Sequence, residues 1–256
     1  MENLNINNNM NTGEAKFGYN ISIITTLLAV ITFGIAVCTP PLSGPFCKAG
    51  CFQYPYNDII NRFPRDYYWM YPAIILSFSY LLMMISIHHS VTNDKRLYSF
   101  SAIAFAIIST IILSVDYFIQ VSFIQPALLA GESEGIAMLS QYNPHGIFII
   151  LEELGFITMN ISFFCLVPVF SGTGKPEKNI RWTFISGFFL MLLSFFTVSL
   201  VLGVQREYVF EVIIISITWL ELIVAGILLN RYFRKLNHAL KSEPGNDEIE
   251  NLHTKQ

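Results

Sequence analysis

Lysine and arginine are missing from all six long apolar runs of this chain, so no basic side chain is on hand to neutralise an acid within them. Charge is scarce altogether: Asp, Glu, Lys and Arg make up 13% of the 256 residues, whereas 53% are hydrophobic and the mean hydropathy is +0.51. Soluble domains carry roughly 25% charged residues, so an ordinary soluble fold is excluded. The net charge of −3 has no basic excess, which argues against nucleic acid as a partner. Four cysteines are too few for a disulfide-dense scaffold. No H-E-x-x-H or G-x-S-x-G run is present. Ser171-Gly172-Thr173-Gly174-Lys175-Pro176 lacks the spacing of a phosphate loop and reads as a short turn. No cofactor is expected.

What the chain has is hydrophobic length. A bilayer core needs about 20 apolar residues in helical form. Six segments qualify, at residues 19–38, 69–89, 98–125, 146–170, 182–204 and 209–230. The expected fold is therefore all-α: a polytopic bundle of six transmembrane helices over residues 19–235. A disordered polar tail at 1–18 and a charged tail at 236–256 flank it.

An even number of spans puts both ends on one side. The N-terminal segment, the 90–97 and 171–181 loops and the segment after 230 hold eleven of the 15 Lys and Arg residues. The opposite set holds Lys48, Arg62, Arg65 and Arg206, and the 126–145 loop has none. The positive-inside rule then places both termini in the cytoplasm of a cell membrane. Tyr67, Tyr68, Trp69 and Tyr71 mark the outer interface, and Trp182 and Tyr232 the inner one. The first span ends without the small residue that a signal-cleavage site wants, so it is expected to be retained. On this topology the 39–68 loop is outside. A Cys47–Cys51 or Cys38–Cys47 bridge is permitted there, and free thiols fit the spacing as well.

Acids interrupt these runs. At 1.5 Å per residue, Asp116 lies about 14 Å below the outer surface, Glu152 and Glu153 about 10 Å, and Glu221 about 18 Å. Asp116 and Gln120 share a helix face by their four-residue spacing, as do the seven-residue pairs His145 with Glu152 and Glu153 with Asn160. A charge at mid-bilayer costs about 3 kcal/mol on the lenient insertion scale. Without basic partners, these carboxylates hold protons, bind a cation, or line a water-filled vestibule. Asp116, Gln120, His145, Glu152, Glu153, Asn160 and Glu221 are thus the candidate ligand- or ion-binding residues. Glu152 and Glu153 have a plainer alternative, a helix N-terminus from which they reach the interface. A metal site is not expected: His145 and Glu152 are about 10.5 Å apart along a straight helix, too far for one ion to bridge. His88 and His89 read as interfacial. Between Pro126 and Pro144, LLAGESEGIAML reads either as a short amphipathic lid hinged at Gly131 and Gly135 or as a plain connection.

The runs YPYNDIINRFPRDYYWMYP, DYFIQ, QYNPHGIFI and LEELG resemble those of a group of small prokaryotic multi-pass membrane proteins with no assigned activity. The resemblance covers the second to sixth spans; it implies the six-helix fold and a prokaryotic membrane, and carries no function. A three-plus-three split into inverted halves would make Asp116 and Glu221 equivalent, since IILSVD and IISITWLE are faintly alike. The sequence favours binding or transport of a proton, cation or small cationic solute, in an outward-facing cavity lined by Asp116, Gln120, Glu152, Glu153 and Glu221. An intramembrane enzyme acting on a lipid or isoprenoid, with His145 and the same acids as general acid and base, is the alternative. A non-catalytic structural or sensory subunit is the third.

Overall fold

The computed structural model describes residues 10–172 and 174–242, and among them every regular element is helical. Six helices are long and apolar enough to cross a membrane. In chain order the elements are α1 (Thr12–Cys38), α2 (Met70–Ser90), α3 (Arg96–Ile119), the short α4 (Gln125–Leu129) and α5 (Ile136–Leu139), α6 (Ile147–Cys165), α7 (Lys175–Leu202) and α8 (Glu207–Lys241).

The ends of the bundle differ from the expected boundaries for local reasons. α1 begins at Thr12 rather than at residue 19, because Asn11 accepts from the Glu14 amide while Glu14 accepts from the Asn11 amide, a reciprocal capping box. Residues 12–18 of the expected disordered tail at 1–18 are therefore helix. At the other terminus α8 runs on to Lys241, so residues 236–241 of the expected charged tail are helical too. Residues 1–9 and 243–256 of those tails lie outside the described residues. α3 continues through a single π-helical turn, Gln120–Ile124, into α4. Pro126 lacks an N–H, and its ring presses on the carbonyl four residues earlier, so the backbone widens in the turn before it.

α1 packs between α2 and α8, α2 against α3, α3 against α6, and α6 against α8, so five helices close a ring; α7 lies outside it against α6 and α8. Apart from Ile21, the buried residues of α1 are small, namely Ala15, Gly18, Ser22, Thr25, Ala29 and Thr32, which lets α8 approach closely. Gly155 does the same for α6. A Cβ there would overlap Leu113 of α3, and Ser109 donates to the Gly155 carbonyl at 2.8 Å. Across the ring, Tyr80 of α2 meets Phe163 of α6 edge to face at 5.5 Å. α2 is largely buried and α7 largely exposed, so the helices that inverted halves would make equivalent occupy unlike positions.

One end of the ring carries both outermost helix ends, the start of α1 and the end of α8; the other carries the long 39–69 segment. In that segment Cys47 and Cys51 form a disulfide, with Cα atoms 5.9 Å apart, while Cys38 and Cys165 are free. The 39–69 segment is bound to the 130–146 segment through Asp66, which is 2% exposed. Asp66 accepts from Arg62 Nε at 2.8 Å, Arg65 Nε at 2.9 Å and the Tyr142 hydroxyl at 2.9 Å. Gln125 donates to the Tyr67 hydroxyl at 3.1 Å, and Phe52 packs edge to face on Tyr142. Burial, with Tyr67 and Asp66 close by, pushes the Tyr142 hydroxyl well above the ordinary tyrosine range, so it stays a donor.

Removing a buried hub of this kind leaves Tyr142 without its acceptor. Asp66→Ala is expected to lower stability by on the order of 3 kcal/mol and to speed amide exchange in residues 40–68 and 136–145. Exchange measured by mass spectrometry in detergent checks this, and unchanged rates in both segments would refute the coupling.

Candidate functional site

Three acids from three helices meet near the disulfide-bearing end. Glu152 lies five residues into α6, Glu211 four residues into α8, and Asp116 three residues before the end of α3. Glu152 is 0% exposed and Glu211 7%. Their carboxyl groups are close enough to interact directly. Two carboxylates in such contact repel unless a proton or a cation lies between them. Glu152 Oε1 accepts from the Tyr117 hydroxyl at 2.7 Å. Glu152 Oε2 and Glu211 Oε2 have no N–H or O–H donor among the described residues. Tyr117 is held by Trp69, edge to face at 5.1 Å, and by Phe148 at 6.2 Å. Asp116, buried beside Tyr117, is near enough for its charge to act on both glutamates, and its Oδ2 has no partner.

Glu152 and Glu211 line a cavity of about 320 Å³. Its walls are the end of α1 (Phe33, Ala36, Val37), the start of α8 (Tyr208 to Trp219) and Phe148 and Ile149 of α6. Trp69 closes it on the α2 side, and residues 39–43 with Phe46 and Tyr142 form the roof. Asp66 also reaches it. No Lys or Arg is among the lining residues.

The sequence-predicted residues are distributed as follows. Glu152 lines the cavity and Asp116 stands behind it. Gln120 does not line it: its amide donates to the Leu139 carbonyl and its Oε1 accepts from the Gln141 amide at 3.1 Å, so it clamps the 130–146 segment to the π turn. Asn143 fastens the same segment, donating to the Ala137 carbonyl at 2.7 Å. α5 is thus pinned, with Ile136 and Ala137 buried, rather than a free lid. Glu153 turns away from Glu152 and pairs with Arg206, whose Nη1 is 3.0 Å from Glu153 Oε2 and whose guanidinium lies over Phe195 at 4.7 Å. The expectation that no basic group reaches these acids is corrected here. The chain turns tightly through Gly203–Gln205, and the first residue before α8 lands beside α6. His145 is 67% exposed, 3.7 Å from Glu207, and stands off the cavity, which removes it as acid or base for that site. Asn160 donates to Thr218 at 2.7 Å and to the Phe156 carbonyl, tying α6 to α8 below the cavity.

Glu221 does not join the others. It follows Glu211 by ten residues, so it projects about 80° away round α8. It lies against Gly187 of α7, where a Cβ would overlap its carboxyl. Thr218, seven residues after Glu211, does share its face. Glu211, Tyr117 and Asp66 are the site residues that sequence reasoning passed over. The signal for Glu211 was present: it is a second acid in the sixth span beside Glu221, in register with Thr218 on the face toward α6.

No group of three or more His, Cys, Asp and Glu side chains that could hold a metal ion occurs among the described residues. In comparisons with family models, curated proteins and solved structures, nothing matches this chain.

The two acid contacts should respond differently to substitution. Glu211→Gln puts an amide N–H between the two groups, so thermal unfolding in detergent should stay within about 1 kcal/mol of the parent. Arg206→Ala strips Glu153 of its partner and should cost on the order of 2 kcal/mol. Equal losses in the two variants would mean that no proton joins Glu152 to Glu211.

Proposed function

We propose that the chain is an integral membrane protein that binds a cation at the Glu152–Glu211 pair in exchange for the proton these acids share, and that this exchange serves transport. The single observation carrying this reading is the buried carboxyl pair at the wall of a cavity with no basic lining residue. A pair sharing one proton carries one negative charge with it and two without it, so a monovalent cation entering as the proton departs leaves the net charge of the low-dielectric site unchanged. Tyr117 holds Glu152 in place through the change by donating to its Oε1.

The cavity lies at the disulfide-bearing end, and we take that end as outward. The excess of Lys and Arg in the opposite loops supports this orientation, and a Cys47–Cys51 disulfide belongs on an oxidising side. A catalytic reading has less support, since His145 stands off the cavity and Glu153 is engaged by Arg206.

Two outcomes are expected. In proteoliposomes loaded with a pH dye, an inward cation gradient should drive proton efflux that Glu152→Gln with Glu211→Gln abolishes; a double variant that moves protons like the parent would sink the proposal. In intact cells, a membrane-impermeant maleimide should label Cys38, and exclusive labelling in inverted vesicles would reverse the orientation.

A further inference from the structure

The cavity holds more than its acids. Phe33, Trp69 and Trp219 meet edge to face in its wall, with ring centroids 5.6 Å apart for Phe33 and Trp219 and 6.1 Å for the two tryptophans. Aromatic rings beside an unpartnered acid recognise a cation with apolar substituents, because the ring quadrupole attracts positive charge while the ring itself buries hydrocarbon. An inorganic divalent ion would want six or more oxygen ligands, and no acid or histidine group of that kind converges here. An anion would find no basic side chain. A neutral apolar molecule would leave Glu152 Oε2 and Glu211 Oε2 facing hydrocarbon.

Apolar side chains complete the lining: Val37 of α1 and Val212 of α8 both face it and both are exposed.

We infer that the ligand is an organic monocation with an alkyl or aryl body, an ammonium of amphiphilic shape. Its positive centre sits at the Glu152–Glu211 pair and its apolar body lies against Trp69, Trp219 and Phe33. One cation enters and the proton shared by the glutamates leaves, so charge balances. This inference rests on the cation reading of the same pair and adds the class of cation.

The three tryptophans supply the assay. Trp182 is exposed on α7, away from the cavity, so Trp182→Phe leaves fluorescence reporting only from Trp69 and Trp219. The full chain carrying that change, in nanodiscs, is titrated with tetramethylammonium, hexyltrimethylammonium, Na⁺, K⁺ and Mg²⁺. Tryptophan emission and proton release into weakly buffered solution are followed together. Hexyltrimethylammonium is expected to change emission and release about one proton per chain, and to bind at least about tenfold more tightly than tetramethylammonium. Trp219→Leu should weaken that binding about tenfold or more, and Trp219→Phe should restore most of it.

Binding of Na⁺, K⁺ or Mg²⁺ with proton release, and none by hexyltrimethylammonium, overturns the ligand class and leaves the cation reading standing. No proton release with any cation overturns both. Emission changes that persist in Glu152→Gln with Glu211→Gln mean simple partitioning into the bilayer and overturn the inference, as does full affinity in Trp219→Leu.

Discussion

Two buried glutamates that face each other from neighbouring helices are the constraint from which this end of the molecule follows. Neither Glu152 nor Glu211 has a basic partner, and an unshared charge on either would be costly in an apolar bundle. Each acid answers the other, and in doing so fixes α6 against α8. Tyr117 takes the remaining strong acceptor of Glu152, which fixes α3 against α6. Trp69 then packs on Tyr117 and on Trp219, bringing the start of α2 to the same point. Four helices are thus registered around one pair of acids.

Above that point the polar groups have a different task. Asp66 gathers two arginines and a tyrosine and binds the two long connecting segments into one roof, and Gln120 fastens that roof to the π turn of the third span. Glu153 and Arg206 brace the side where α7 passes into α8. Polar residues at this end divide into those that brace the walls and those left facing the cavity, and only Glu152 and Glu211 among the spanning helices' acids belong to the second group.

Hydrophobic length alone made the six helices legible, because crossing an apolar layer demands about 20 residues whatever the packing. Helix ends were less legible: the Asn11 and Glu14 cap is a four-residue signal standing outside the apolar run, and α8 outlasts its hydrophobic stretch by more than two turns. The candidate site was legible in part. Depth put Asp116 and Glu152 together, since they descend from the same end on neighbouring helices. Depth could not assign Glu221, because which way an acid points depends on its angle round the helix, and ten residues turn it from α6 to α7. Glu211 escaped notice because it stands one turn inside its helix, where an acid is ordinarily taken for a terminal one. Arg206 looked like a loop residue, and only the sharpness of the turn before it makes it a partner for Glu153. The four runs quoted for the resemblance do meet: they supply Asp66, Tyr117, Tyr142 and Glu152, and all four lie at or beside the cavity.

The ring closes between its first helix and its last, and this gives the molecule an order in time. During synthesis α1 enters with a stripe of threonine, serine and small residues that no neighbour yet covers, and Glu152 follows with no second acid to share its proton. Both deficits persist until α8 arrives carrying Glu211. The cavity is therefore the final feature to be assembled, and a chain stopped before α8 has neither its wall nor its second acid.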